Sequence, residues 1–155
     1  MLSTRDGSRH MKIECEAVLA DLLLLRGSGY SLLELSRNEK AIKPVLTRSG
    51  YHWGQGYAAL LADLPDSTCR WALYNFRDES PDGRTCRFCL ITWLPAGASD
   101  KTKVAYYFDK DALITTVEEK LLSSRVRGLA VMEATSYADM AYETVLAEVN
   151  RQFDN

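Results

Sequence analysis

The sequence has few of the side chains on which enzymes and metal sites depend. It contains two histidines, His10 and His52, which lie far apart in stretches that we expect to be an arm and a turn. A nucleophile with its base, a metal centre or two carboxylates in contrasting environments would need a denser set of such groups. We therefore expect no catalytic residue, no bound metal and no cofactor.

The cysteines do not supply this chemistry either. Cys86 and Cys89 form a Cys-x-x-Cys pair, but the chain has no second such pair and no histidine nearby, as a structural zinc site would require. On a strand, a spacing of three also points the two side chains to opposite faces. We interpret the four cysteines as reduced, structural residues.

Long apolar runs and excess positive charge are missing as well. The most apolar stretch, 17–25, is too short to cross a bilayer and contains Asp21. The N-terminus has no signal-peptide core, which favours a cytoplasmic protein. The net charge of −2 argues against nucleic-acid binding, which needs a dense positive field. A local basic patch facing an acidic protein remains compatible with it.

The composition is that of one globular domain, with 46% hydrophobic and 26% charged residues. We expect a flexible arm at 1–11, typical in part of a vector-derived leader, and a folded domain at 12–153. Periodicity predicts helices at 13–25, 54–63, 101–117 and 137–153, and strands at 30–35, 41–48, 70–76, 86–93 and 128–133. This order predicts an α+β (mixed α/β) fold, in which one central mixed sheet of five to six strands has about four helices on its two faces.

Two positions predict irregular structure. Pro44 cannot donate a hydrogen bond, so its strand should lie at an edge or be bulged there. The run from Tyr106 to Asp109 has poor helix propensity, which predicts a bend or a break near Phe108.

The third predicted helix mixes lysines with apolar residues. One set has the spacing of a single helix face: Lys103, Tyr107, Lys110 and Ile114. Two apolar sets could pack on the sheet: Val104, Phe108 and Ala112, and Tyr106, Leu113 and Val117. The lysines either lie along the surface with solvated ends, or belong to a face that docks into a partner's groove. Residue physics alone leaves both interpretations open.

Several short motifs together resemble the actin-depolymerising factor/cofilin family, in its order and spacing, from about residue 8 to residue 152. They are Cys69-Arg70-x-Ala72-Leu73-Tyr74, Ile91-x-Trp93-x-Pro95, Lys101-x-Lys103, Tyr106, Lys110-Asp111-Ala112-Leu113 and Tyr142-Glu143-x-Val145-Leu146-x-x-Val149, with Glu14-Cys15 and Asp21-Leu22 in the first helix. The resemblance implies an ADF-homology fold, similar to that of gelsolin domains, and binding to actin monomers and filaments.

The resemblance also implies two binding surfaces and a regulatory site. The helix after Trp-x-Pro inserts between two lobes of actin in such proteins, a role that falls here to Lys101, Lys103, Tyr107, Lys110, Asp111 and Ile114. A filament-specific surface at the hairpin end and on the last helix corresponds to Arg84, Arg87, Glu148 and Arg151. A phosphoserine near the N-terminus inhibits many relatives, and Ser8 is the nearest counterpart.

Three departures from the family pattern weaken these surfaces. Ile114 and Thr115 stand where further basic residues are common, and Ala147 and Glu148 replace an acidic–basic pair. The segment 23–29 replaces a Lys-rich stretch, which argues against phosphoinositide binding.

The resemblance therefore implies a monomeric protein that promotes filament depolymerisation with weak severing. The alternative is a regulator that binds the Arp2/3 complex instead of actin, as glia maturation factors do.

Overall fold

The structure is a computed structural model that describes residues 11–24, 28–51, 55–76, 87–126 and 128–154. Its strands are β1 (Lys12–Ile13), β2 (Ser28–Ser36), β3 (Ala41–Tyr51), β4 (Arg70–Asn75), β5 (Phe88–Trp93) and β6 (Ala130–Ala134). Its α-helices are α1 (Glu16–Leu24), α2 (Gln55–Asp63), α3 (Asp100–Ser123) and α4 (Tyr142–Phe153), and a 3₁₀ helix, Tyr137–Met140, precedes α4. Cys86 lies outside the described residues.

The six strands form one mixed sheet in the order β1-β3-β2-β4-β5-β6. The outer pairs β1–β3 and β5–β6 are parallel, and the pairs between them are antiparallel. Helices cover both faces. Trp71 and Leu73 of β4 pack in a core with α1 and α3, whereas Ala72 and Tyr74 pack in a second core with α2 and α4. The predicted fold class and the mixed sheet are thereby confirmed.

Three local features differ from the expectations or refine them. The two-residue strand β1 was not predicted, because it is too short to show periodicity. The segment at Pro44 is bulged, as predicted: Leu32 lies opposite Leu46 and Leu33 opposite Pro44, so Val45 is the extra residue. The last helix is divided, because the 3₁₀ turn ends at Met140 before α4 begins.

The expected bend or break near Phe108 and Asp109 is wrong. Helix α3 is one continuous element of 24 residues. Its inner stripe of Tyr106, Leu113, Val117 and Leu121 is buried against the sheet. Tertiary packing of this stripe outweighs the poor intrinsic propensity of the aromatic run, which is worth only tenths of a kcal/mol per residue.

Trp93 joins three parts of the fold at the end of β5. The side chain is fully buried, and its Nε1 donates a hydrogen bond to the Pro65 carbonyl oxygen at 2.6 Å. Its ring centroid lies 5.0 Å from that of Tyr137, whose hydroxyl donates to the Leu64 carbonyl oxygen at 2.8 Å. The indole therefore links β5 both to the segment after α2 and to the 3₁₀ helix.

We expect Trp93→Ala to lower the free energy of unfolding by roughly 3–5 kcal/mol, because truncation of a large core aromatic leaves a cavity. Chemical denaturation would measure the loss. Trp93→Phe is the matched control, since it keeps a ring but removes the Nε1 donor, and it should cost less. A Trp93→Ala protein of unchanged stability that lost partner binding would instead make Trp93 a contact residue.

Candidate functional site

The turn before α3 fixes where the helix begins. Ser99 is its N-cap, and the Ser99 Oγ accepts a hydrogen bond from the Thr102 backbone N–H at 3.2 Å. Two residues earlier, a Cβ on Gly97 would overlap the carbonyl oxygen of Asp66, so only glycine allows this close approach. The start of α3 is thus held against the segment that follows α2.

Tyr106 fixes the rotation of α3 about its axis. Its ring centroid lies 4.4 Å from that of Trp71, and its hydroxyl accepts a hydrogen bond from the Leu35 backbone N–H at 2.9 Å. Burial raises the pKa of the Tyr106 hydroxyl, so it stays protonated. Because this contact faces the sheet, residues about 200° further around the helix must face outward.

The outward face carries an apolar patch next to a lysine. Val104 is 65% exposed and Phe108, one turn later, is 81% exposed, and Lys101 is exposed beside them. We call Lys101, Val104 and Phe108 the outer patch. The interpretation that Val104, Phe108 and Ala112 pack on the sheet is wrong, since all three are exposed. Of the two apolar sets on the helix, only the Tyr106 set faces the core.

A shallow groove lies beside the outer patch. It runs between α3 and the β2–β3 turn and is lined by Arg37, Asp100, Lys101, Val104, Ala105, Phe108 and Asp109. Partial burial raises the pKa of the Asp109 carboxyl, and the nearby Arg37 charge opposes that rise. The patch therefore combines a protruding ring with a neighbouring recess and charges of both signs.

The predicted lysine face lies on one flank of α3 rather than on its outermost side. Lys110 Nζ lies 4.2 Å from the centroid of the Tyr107 ring and 3.4 Å from Asp111 Oδ1, and its side chain is only 18% exposed. Ile114 packs partly against the core, and Lys103 is half-buried. With Leu90, Thr92 and residues 131–133, the three residues Lys110, Asp111 and Ile114 line a groove of about 440 Å³. The six predicted residues thus divide between this flank and the outer patch.

In the predicted filament surface, Arg87 makes contacts within the protein. Its Nη1 donates to Asn150 Oδ1 at 2.7 Å, its Nη2 lies 3.5 Å from Asp154 Oδ1, and its guanidinium carbon lies 5.4 Å from the Phe153 ring centroid. The side chain is 15% exposed. Arg87 therefore connects the start of β5 to α4. Arg84 and Ser8 lie outside the described residues.

Glu148 and Arg151 neutralise each other one turn apart on α4. Arg151 Nε donates to Glu148 Oε1 at 3.0 Å, and Nη2 makes a second bond to Oε2. Glu148 Oε2 also accepts from Gln152 Nε2 at 2.8 Å. The bonds from Arg151, followed by that from Gln152, lower the pKa of the Glu148 carboxyl to about 2. The i, i+3 spacing of Glu148 and Arg151 is typical of such a pair, whereas no sequence pattern indicates Gln152 as its third member.

The described ranges contain no cluster of three metal-ligating side chains and no helix long and apolar enough to cross a membrane. Cys15, Cys69 and Cys89 are buried free thiols, and burial raises the pKa of each above its ordinary value. A raised pKa leaves the thiol protonated and a poor nucleophile. What the described surface offers is binding chemistry, at the outer patch and along the flank of α3.

Comparison with known proteins gives a consistent match. The family described as Cofilin/tropomyosin-type actin-binding protein matches residues 9–150. A cofilin from Mycosarcoma maydis is 33% identical over 139 residues, which make up 89% of this chain and 91% of that protein. The crystal structure of Streptomyces griseoflavus cofilin has a TM-score of 0.67 at 26% identity and covers 90% of this chain and 97% of its own. The solution structure of glia maturation factor from Caenorhabditis elegans shares the fold, with a TM-score of 0.62 at 15% identity over 88% of this chain and 93% of its own.

We expect an NMR titration of the Glu148 carboxyl to have its midpoint near pH 2 rather than at the ordinary 4.5. Because the folded pKa is lowered, the stability from this pair is fully present above about pH 4.5 and is lost as the pH falls towards 2. Arg151→Ala should move the midpoint back towards the ordinary value. A midpoint unaffected by Arg151→Ala would show that another group depresses the pKa.

Proposed function

The chain belongs to the cofilin/tropomyosin-type family of actin-binding proteins, and on that basis we propose that it binds both actin monomers and actin filaments. We further propose that it promotes filament depolymerisation and turnover in the cytoplasm, with weak severing. It acts as a non-catalytic monomer without a cofactor, without nucleic acid and without membrane insertion. Phosphoinositide binding is not part of the proposal.

The observation that carries this proposal is the outer patch on α3. A helix that lays an apolar face into a groove binds through a few anchors one turn apart, and large aromatic anchors contribute most of the binding energy. Val104 and Phe108 have this spacing, and their side chains are largely exposed to solvent rather than packed in the core. The N-cap and the buried Tyr106 hold them in place before binding, which limits the entropy that binding costs.

The α3 residues predicted from the sequence fit this proposal in two roles. Lys101 belongs to the outer patch and can meet acidic groups of actin directly. Lys103, Tyr107, Lys110, Asp111 and Ile114 extend the surface along the flank. There, the cation–π contact fixes the Lys110 side chain in one position. Apolar anchors would supply affinity, while the lysines would favour an acidic partner.

The filament surface supports only weak severing in this proposal. Arg87 already binds Asn150 and Asp154, and the charge of Arg151 is matched by Glu148. Few free cations therefore remain on the described part of this surface to engage a neighbouring actin subunit. Arg84 would add one, and Ser8 remains the proposed site of inhibitory phosphorylation.

The alternative function, binding to the Arp2/3 complex rather than actin, is favoured by the same neutralised α4 surface and by the shared fold with glia maturation factor. Cosedimentation with filaments beside a titration of labelled actin monomers separates the two. Binding in either assay supports the actin proposal, whereas binding in neither, with binding to purified Arp2/3 complex, supports the alternative. Imaging of single filaments then reports severing and end depolymerisation separately.

We expect Phe108→Ala to weaken actin binding by roughly tenfold to a hundredfold, as loss of an exposed aromatic anchor should. Leu122→Ala is the matched control, because Leu122 is a 68% exposed apolar residue on the same helix but outside the outer patch. Both variants should keep their thermal stability, since neither side chain is buried. Equal affinities of the two variants for actin monomers would remove Phe108 from the binding surface.

We expect the double variant Lys101→Ala/Lys103→Ala to bind actin less tightly than the unmodified protein at low salt. The difference should shrink as salt is raised, because the interaction is electrostatic. Its melting temperature should change by only about a degree or two. Lys12→Ala/Lys43→Ala removes the same charge from the β1–β3 edge and should leave affinity nearly unchanged. If both pairs lowered affinity equally, net charge rather than position would be responsible.

A further inference from the structure

Strand β6 ends the sheet, so one side of it has no neighbouring strand among the residues that the structure describes. In a parallel pair, alternate residues turn their peptide groups towards the neighbour and the others turn them away. The Ala134 carbonyl oxygen accepts a hydrogen bond from the Leu94 N–H at 2.8 Å, which places Ala134 on the β5 side. Val131, Glu133 and Thr135 therefore face outward. An open edge of this kind is a template for pairing with another chain.

Gln152 of α4 occupies the first outward position. The Val131 N–H donates to Gln152 Oε1 at 2.9 Å, and Gln152 Nε2 donates to the Val131 carbonyl oxygen at 3.0 Å. A primary amide has the same donor and acceptor as a peptide group. The Gln152 side chain thus satisfies both outward groups of Val131, as a neighbouring strand would.

Glu148 holds the Gln152 amide in this position. Gln152 Nε2 also donates to Glu148 Oε2 at 2.8 Å, so its two hydrogens are divided between Glu148 and Val131. Glu148 in turn is bound by Arg151 through both carboxylate oxygens. Three α4 residues therefore form one connected network that ends at the β6 edge.

The two remaining outward positions oppose pairing in different ways. Glu133 carries an exposed carboxylate, and a charged side chain on an edge opposes pairing. The Thr135 N–H donates to Asp139 Oδ2 at 2.9 Å, and the Thr135 hydroxyl donates to the same oxygen at 3.1 Å. The bond from the Thr135 backbone lowers the pKa of the Asp139 carboxyl, which keeps it ionised and able to accept.

We propose that Gln152, held by Glu148 and Arg151, guards the β6 edge and prevents it from pairing with β6 of a second copy of this chain. Two such edges related by a twofold axis would run antiparallel. A register exists in which Val131 lies opposite Glu133 of the partner subunit, so that outward peptide groups meet and the two carboxylates do not face each other. In this register, Gln152 is the one described side chain that hydrogen-bonds the outward peptide groups of Val131.

The test compares Gln152→Ala and Gln152→Asn with the unmodified chain and with Thr144→Ala, an exposed α4 change outside the network. Asn keeps the amide but is one methylene shorter, so it should not reach Val131. Amide hydrogen exchange by NMR should show the Val131 N–H exchanging roughly tenfold faster in both Gln152 variants and unchanged in Thr144→Ala. Sedimentation velocity should show a mass that rises with concentration for the Gln152 variants alone.

Two results would overturn the proposal. Unchanged exchange at Val131 in both Gln152 variants would mean that the side chain does not cover the edge. Faster exchange without any association up to millimolar concentration would mean that the cover does not prevent pairing. Exchange at an amide inside β5, such as that of Ile91, reports global stability. It must stay constant if either result is to be interpreted as a local effect at β6.

Discussion

The orientation of α3 depends on its buried inner stripe, and within that stripe on the contacts of Tyr106. Tyr106 inserts between the helix and the sheet, where its hydroxyl meets the Leu35 N–H and its ring packs on Trp71. The hydroxyl can accept this bond only when the helix has one particular rotation. Every α3 residue that we assign to actin binding is placed by that rotation, because the inner stripe determines which side chains are left outside. The buried Tyr106 thus determines which side chains of α3 form the proposed binding surface.

Much of the fold could be predicted from the sequence. The alternation of helices and strands and the bulge at Pro44 both follow from local chemistry, and each was found. The errors have a common cause. The aromatic run in α3 was judged by its intrinsic propensity, although its stability comes from burial of Tyr106 against residues far away in the chain. The β1 strand likewise exists only because β3 offers it a partner.

The candidate site was predictable in composition but not in orientation. Two apolar sets share α3, and the sequence cannot distinguish the set that faces the sheet from the set that faces a partner. The sequence does show that the two sets lie on opposite sides of the helix, since Val104 and Phe108 are one turn apart and lie opposite Tyr106 on a helical projection. The contacts of Glu148 were harder to foresee, because Gln152 gains its role only through Val131, 21 positions away.

Gly97 has a consequence for how the protein can vary. The residue is exposed, yet any side chain there would displace the Asp66 carbonyl or shift the start of α3. Exposure and tolerance to substitution are therefore uncoupled at this position. A mutation at Gly97 would touch no residue of the outer patch, but it would move all of them together. Loss of binding in such a variant would reflect displacement of a surface whose residues are unchanged. The positions at which mutations weaken binding would therefore include residues that do not contact the partner.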